Sequence, residues 1–379
     1  MISSLTRDAL VAMLSLFMGV RGLTCNFQIV EDHGDAFTIG NRRAKPDCTI
    51  VFYRLSHFAL FALSPRLMTF AKLYIDGNVE VEGDWFVAAK IVNQFNDHGS
   101  SVTERLFGFF SSTQSVETHY GWSAEAFGWF LDHPYMQYTC GRLEDGDDQV
   151  SLEESQRNKL ALIARWLEVK PGQRHLDIGC GWGGLIQYLV EQHGTISHGV
   201  TLAPEQASFA KSKVPATKIF VTRFEDHKPS EPYDVVSVVG MLEHLPVERH
   251  AEFFQYLATT VRRNGRVYLQ CITRTNRPTG DRTRFLNAHV FTHELNSLER
   301  LVELAHKADF TVAKTEEGHE DYAFTTREWV KRIRAHEAEI RCLLKDDKVY
   351  RILLGYLTMG SLSFADNHSN LHRLLLVKK

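Results

Sequence analysis

Long apolar runs, clustered cysteines and an excess of one charge sign are all missing from this chain of 379 residues. The most sustained apolar stretch, Leu10–Val20 between Arg7 and Arg21, falls short of the roughly 20 residues that cross hydrocarbon. Behind it, Arg21-Gly22-Leu23-Thr24-Cys25 has no small-residue cleavage site, so neither an anchor nor a secretory leader is expected, and an amphipathic helix is. The six cysteines (Cys25, Cys48, Cys140, Cys180, Cys271, Cys342) are scattered, without a C-x-x-C pair or alternating Cys/His spacing. That excludes a thiolate zinc site, leaves no metal to expect, and suits a reducing cytoplasm. With 43 basic against 46 acidic residues, the formal net charge of -3 argues against a nucleic-acid surface. Repeats and low-complexity tracts are absent as well.

What is present reads as roughly two domains. Residues 1–95 have the pattern of a small α+β domain. Asn26–Val30 and Ala36–Gly40 predict a hairpin, Cys48–Tyr53 a third strand, Leu55–Tyr74 a helix broken at Ser64-Pro65, and Asp76–Asp84 a turn with a short strand. The apolar Phe58–Leu63 reads as core. Residues 96–135 form a helical connector rich in aromatics, among them Phe107, Phe109, Phe110, Tyr120, Trp122, Phe127, Trp129 and Phe130. From 136 to 379, helices alternate with apolar strands at His175–Ile178, Ser197–Thr201, Lys218–Val221, Val235–Val239 and Arg266–Ile272. This predicts an α/β fold with a doubly wound parallel sheet, whose ligands sit at the carboxyl ends of the strands. Asp177, Thr201, Glu243 and Gln270 are expected there.

The densest signal is His175-Leu176-Asp177-Ile178-Gly179-Cys180-Gly181-Trp182-Gly183-Gly184. It reads as strand, glycine turn and helix start. A pyrophosphate loop directs amides at an anion, whereas an acid precedes this one closely, which suits a cationic ligand. S-adenosylmethionine, carrying ammonium and sulfonium charges, fits better than a dinucleotide.

This motif, followed by Gly199-Val200-Thr201-Leu202-Ala203-Pro204-Glu205-Gln206 and by Met241-Leu242-Glu243-His244, resembles the cyclopropane-fatty-acyl-phospholipid synthase family of class I S-adenosylmethionine-dependent methyltransferases. The resemblance extends to Met136-Gln137-Tyr138-Thr139-Cys140-Gly141, His319–Trp329 and, in the first domain, Ala71–Gly77 and Val81–Asp84. It implies a class I, Rossmann-like methyltransferase domain behind a lipid-associated first domain. Implied cofactor contacts are Tyr138, Thr139, Gly179, Gly181, Thr201, Leu202 and Gln206, to which the acid reading adds Asp177. Implied catalytic positions are Cys140, Glu243, Gln270, Ile272 and Tyr322, which in the family hold a bicarbonate that removes a proton from the transferred methyl. Cys140 is expected to line the site rather than react, and His244 to be structural.

The chain departs from the family pattern where Leu-His-Thr-Ile reads Leu269-Gln270-Cys271-Ile272, so glutamine stands for the histidine. Glutamine donates a hydrogen bond but carries no proton or charge, which weakens the expected anion site. His119–Ala124 and Val290–Glu294 also differ, pointing to a changed acceptor. The expected function is methyl transfer to the double bond of an unsaturated acyl chain of phospholipid, giving a cyclopropane fatty acid. Alternatives are methyl or methylene branching, C- or N-methylation of another small molecule, and a non-catalytic lipid- or cofactor-binding protein. The expected location is cytoplasmic with peripheral membrane contact, and a homodimer remains an open alternative to a monomer.

Overall fold

The computed structural model describes residues 8–12, 14–15, 25–30, 36–39, 47–63, 65–94, 122–144, 146–277 and 295–379. Most of the expected connector, residues 96–121, lies outside these, as do 119–121 and 290–294 of the departures noted above. Of the expected N-terminal helix, residues 8–12 and 14–15 are helical and the rest falls outside. The chain divides into two compact units.

In the first unit, β1 (Cys25–Ile29), β2 (Ala36–Ile39), β3 (Cys48–Phe52) and β4 (Val79–Gly83) form a 4-stranded sheet in the order β2-β1-β3-β4. β1 and β2 pair antiparallel, as the hairpin pattern predicts, while β1 and β3 run parallel. Helices α1 (Leu55–Leu63) and α2 (Leu67–Ile75) break at the predicted place, and α3 (Trp85–Gln94) follows β4. Phe27, Phe52, Phe58 and Phe61 are fully buried and pack ring against ring, with Phe52 and Phe58 edge-on at 5.4 Å. The Phe58–Leu63 stretch is therefore mainly core, with Leu63 exposed.

A late segment completes this unit. Residues Asp346–Leu362, most of helix α12 (Asp347–Ala365), belong to it. The buried Arg351 guanidinium donates to the carbonyls of Tyr74 at 3.2 Å and Val79 at 3.4 Å, pairs with Glu80 and Asp347, and lies over the Tyr74 ring. A buried cation needs this many partners to offset its lost hydration.

The second unit is built on a 7-stranded sheet in the order β10-β11-β9-β8-β5-β6-β7. The predicted strands are present as β5 (Arg174–Ile178), β6 (Ile196–Thr201), β7 (Lys218–Val221), β8 (Tyr233–Val239) and β9 (Val261–Arg274), all parallel. Two further strands, β10 (Phe310–Glu317) and β11 (Ser369–Lys378), add antiparallel pairs at one edge, so the sheet is mixed. β10 escaped the sequence reading because Thr-Val-Ala-Lys-Thr-Glu-Glu is an edge with mainly partly or fully exposed side chains.

The helices of this unit are α4 (Ala124–Gly128), α5 (Leu152–Leu167), α6 (Gly184–His193), α7 (Pro204–Lys213), α8 (His250–Thr260), α9 (Leu298–Lys307), α10 (His319–Ala335) and α11 (Glu337–Leu344). α5 starts where Ser151 Oγ accepts the Glu154 amide at 3.1 Å and stops where Glu168 turns left-handed. Alternation along the strands divides the core. Leu176, Ile178, Val236 and Val238 join one apolar cluster with Phe253, Phe254 and Leu257 of α8. Val235 and Val239 face the other way, toward Leu160 and Ile163 of α5 and Leu185 and Leu189 of α6. Asp177 and His175 share that second face by the same period.

Candidate active site

The chain leaves β5 through a turn that only glycine can make. Gly179 has φ 82°, and a Cβ there would lie 2.7 Å from the Cβ of Met241. Gly181, also at positive φ, has nothing within 4 Å of the place a side chain would take, so its backbone faces open space. The next two glycines do something else. A Cβ on Gly183 would meet Ala210 at 2.5 Å, and one on Gly184 would overlap the Tyr135 carbonyl, so these two allow close packing.

Asp177 is 3% exposed and accepts a hydrogen bond from Ser237 Oγ at 2.6 Å. Burial pushes its carboxyl up to about 6 in spite of that bond and of Lys159. At the end of β6, the Thr201 hydroxyl donates to Gln206 Oε1 at 3.3 Å and accepts the Ala203 amide at 3.2 Å. The two side chains thus bond each other and close the turn. Leu202 beside them is 72% exposed, an apolar surface on which a flat ring can pack. An open glycine turn, a buried carboxylate and an exposed apolar side chain suit S-adenosylmethionine: its cationic end would meet Asp177 and the turn, its adenine Leu202.

Tyr138 is joined to the glycine turn through Phe127, whose ring packs on both Tyr138 and Trp182, and Thr139 follows it in the chain. The Tyr138 ring packs between Phe127 and Trp329, each at 5.1 Å, and burial pushes its hydroxyl pKa up. Thr139 accepts from Lys159 Nζ through its hydroxyl and from Gln156 Nε2 through its carbonyl, both at 2.8 Å. Lys159 is fully buried and lowered to about 7 by desolvation, against the opposing pull of Asp132. It was not foreseen. Its position on the buried stripe of α5, with Gln156 and Ile163, was the available signal.

The other predicted residues also converge. Cys140, Ile272 and Tyr322 belong to one apolar cluster with Ala323, Phe364, Leu371 and Leu295, and Tyr322 stacks on Phe364 at 4.4 Å. Glu243 sits in a short turn after β8, 7% exposed, and accepts the backbone amide of Ile272. Its Oε2 is buried without a partner, and desolvation raises the carboxyl to about 7. Cys140 is fully buried and its thiol pushed up by burial, as befits a lining residue.

Gln270 lies inside β9 rather than at its end, because the strand continues to Arg274. Its Nε2 donates to the Cys140 carbonyl at 3.4 Å, while its Oε1 accepts from Tyr268 at 3.0 Å and from Arg373 Nε at 3.3 Å. Arg373, opposite Gln270 on β11 and fully buried, also binds Glu316, Asp321 and the Gly141 carbonyl. A charged residue at an inward position between Leu371 and Leu375 was the signal that could have revealed it. Gln270 Nε2, the donor that would hold a bicarbonate, is turned to the Cys140 carbonyl at 3.4 Å and as an amide brings no charge to an anion, whereas the unpartnered Glu243 Oε2 would accept a bicarbonate hydroxyl.

Comparisons with known proteins agree on the family. A family model for mycolic acid cyclopropane synthetase matches residues 110–374. A probable fatty acid methyltransferase of Mycobacterium tuberculosis is 31% identical over 70% of this chain and 62% of its own length. The cyclopropane-fatty-acyl-phospholipid synthase of Escherichia coli strain K12 is 26% identical over 66% of this chain and 65% of its own. The match thus spans less than two thirds of either relative. Among solved structures, mycolic acid cyclopropane synthase CmaA1 complexed with SAH and CTAB superposes with a TM-score of 0.65 at 26% identity, covering 69% of this chain and 97% of that one.

Proposed function

Because the chain belongs to the mycolic acid cyclopropane synthetase family, and is thereby an S-adenosylmethionine-dependent methyltransferase, we propose that its acceptor is a lipid acyl chain and that it methylates the double bond of an unsaturated phospholipid acyl chain and closes a cyclopropane there. Family membership sets aside the reading as a non-catalytic binding protein. S-adenosylmethionine, when bound, would supply an electrophilic methyl on sulfonium, the pair of its carbon–sulfur bond staying on sulfur as the thioether leaves.

The residues of the chain do the rest. The apolar wall of Ile272, Ala323, Phe364 and Leu371 excludes water from an alkene, which is too weak a nucleophile to compete with it. The alkene π pair forms the new carbon–carbon bond and leaves a carbocation on the neighbouring carbon. The ring faces of Tyr322 and Phe364 and the Glu243 carboxylate offset that charge. Glu243 Oε2 then takes a proton from the transferred methyl as the ring closes, and Glu243 becomes neutral. The observation that carries this reading is the unpartnered Oε2 of Glu243, buried next to the apolar cluster. A carboxyl raised to about 7 is well matched to receiving a proton near neutral pH.

One specific observation favours a second product. Gln270 is held by Tyr268, Arg373 and Cys140, so nothing at position 270 assists removal of the methyl proton. Loss of a proton from the chain instead yields a methyl-branched alkene, and a 1,2-hydride shift onto the cation followed by loss of a proton from the transferred methyl yields a methylene branch.

The test incubates protein and S-adenosylmethionine with vesicles of a defined unsaturated phospholipid, then analyses the acyl chains by mass spectrometry. Gain of one carbon is expected, and its absence removes the proposal. The ring and branched products are isomers, so mild catalytic hydrogenation separates them: alkenes take up hydrogen and the ring does not. Among the described residues no helix is long and apolar enough to cross a membrane.

A further inference from the structure

A line of buried polar side chains crosses three strands behind the cofactor turn and has no part in the chemistry above. His175 of β5 is fully buried, with Nδ1 3.0 Å from Ser197 Oγ on β6 and Nε2 2.8 Å from Ser237 Oγ on β8. Ser197 continues to Thr195 at 2.7 Å, and Ser237 ends on Asp177 Oδ1 at 2.6 Å. Strand register brings these groups together, since His175 pairs with Ser197 and Asp177 with Ser237.

The proton count fixes the direction of every bond. A hydroxyl has one proton to give. Ser237 gives its proton to the ionised Asp177, so it accepts from a protonated Nε2. Nδ1 is then bare and accepts from Ser197, which in turn accepts from Thr195. Burial, with a smaller push from His198, lowers His175 to about 3, so the imidazole stays neutral and works as a fixed dipole. The charged and titratable groups acting on Asp177 itself are Lys159, which favours its ionised form, and the Cys180 thiol.

We propose that His175 is a positioning residue for the cofactor: through Ser237 it holds the Asp177 carboxylate ionised and aimed at the bound cation. This rests on the reading of Asp177 as a cofactor contact. A short hydrogen bond to a carboxylate stabilises its charged form, and removing it lets the carboxyl rotate and take up a proton. His175 supplies the orientation, because without a donor at Nε2 the Ser237 hydroxyl is free to turn away.

The whole protein is titrated with S-adenosylmethionine by calorimetry as wild type, Asp177→Asn, Ser237→Ala, His175→Phe and His175→Gln, with retained circular dichroism as the folding control. Ser237→Ala and His175→Phe are expected to weaken binding about tenfold. His175→Gln, whose amide nitrogen reaches the place of Nε2 and restores a donor toward Ser237, recovers most of that loss. Nitrogen-15 NMR of the wild-type imidazole shows the Nε2–H tautomer with and without cofactor. Wild-type affinity in Ser237→Ala and His175→Phe beside a weakened Asp177→Asn overturns the relay while leaving Asp177 in place. Wild-type affinity in Asp177→Asn overturns both, and an Nδ1–H tautomer overturns the relay alone.

Discussion

Replacing Glu243 with glutamine should make the protein more stable and inactive, and the size of the gain should depend on pH. The carboxyl is raised from its ordinary 4.5 to about 7 because burial disfavours its charge. That displacement corresponds to about 3 kcal/mol between the protonation states. Below pH 4.5 the group is neutral both folded and unfolded, and it costs nothing. Between 4.5 and 7 the unfolded chain ionises while the folded one keeps its proton, so wild-type stability falls as pH rises. Above about 7 both are ionised and the full cost of about 3 kcal/mol is reached. Glu243→Gln has no such group, so its advantage over wild type opens between pH 4.5 and 7 and then stays level. Urea denaturation of both proteins at pH 5, 6, 7 and 8, read as midpoints at equal m, measures it. In parallel, methyl transfer to unsaturated vesicles should be lost. A stability gap that does not grow with pH would show that Glu243 is not held desolvated, and the role of its Oε2 as proton acceptor would fall with it.

Three other perturbations probe separate parts of the site. Gln270→His should move product from branched toward cyclopropane chains, scored by resistance to hydrogenation; an unchanged mixture means position 270 does not govern proton loss. Gly184→Ala, whose Cβ would collide with the Tyr135 carbonyl, should lower stability by about 2 kcal/mol or more, seen as a reduced thermal midpoint. Arg373→Met should cost about 3–5 kcal/mol because Asp321 and Glu316 lose their buried counter-charge, and Arg373→Lys should recover part of it in the same denaturation assay.

The parts legible in the sequence were those fixed by short-range pattern. Apolar strands between helices located β5 to β9, the glycines after Asp177 marked the turn, and the break at Ser64-Pro65 was readable from proline alone. Motif order also singled out residues that do converge: Cys140, Ile272 and Tyr322 in one cluster, with Gln270 bonded to Cys140 and Glu243 to the Ile272 amide. What the pattern could not convey was how those groups are occupied. Whether Gln270 is available to a ligand depends on Arg373, more than a hundred residues later, and Arg373 depends on Asp321 and Gly141. Thr201 and Gln206 likewise read as cofactor contacts, whereas their bond to each other is a matter of geometry. The relay through His175 hid inside a strand because a histidine between Arg174 and Leu176 is unremarkable until the neighbouring strands bring serines to both ring nitrogens.

The helix Asp347–Ala365 gives the first unit a late birth. The carbonyls of Tyr74 and Val79 and the Glu80 carboxylate find their guanidinium partner only at Arg351. During synthesis, then, the N-terminal sheet emerges from the ribosome first but is finished only after nearly the whole catalytic domain has been made. The same order forbids a simple dissection: a fragment ending after α3 would leave those oxygens without the cation that Arg351 brings.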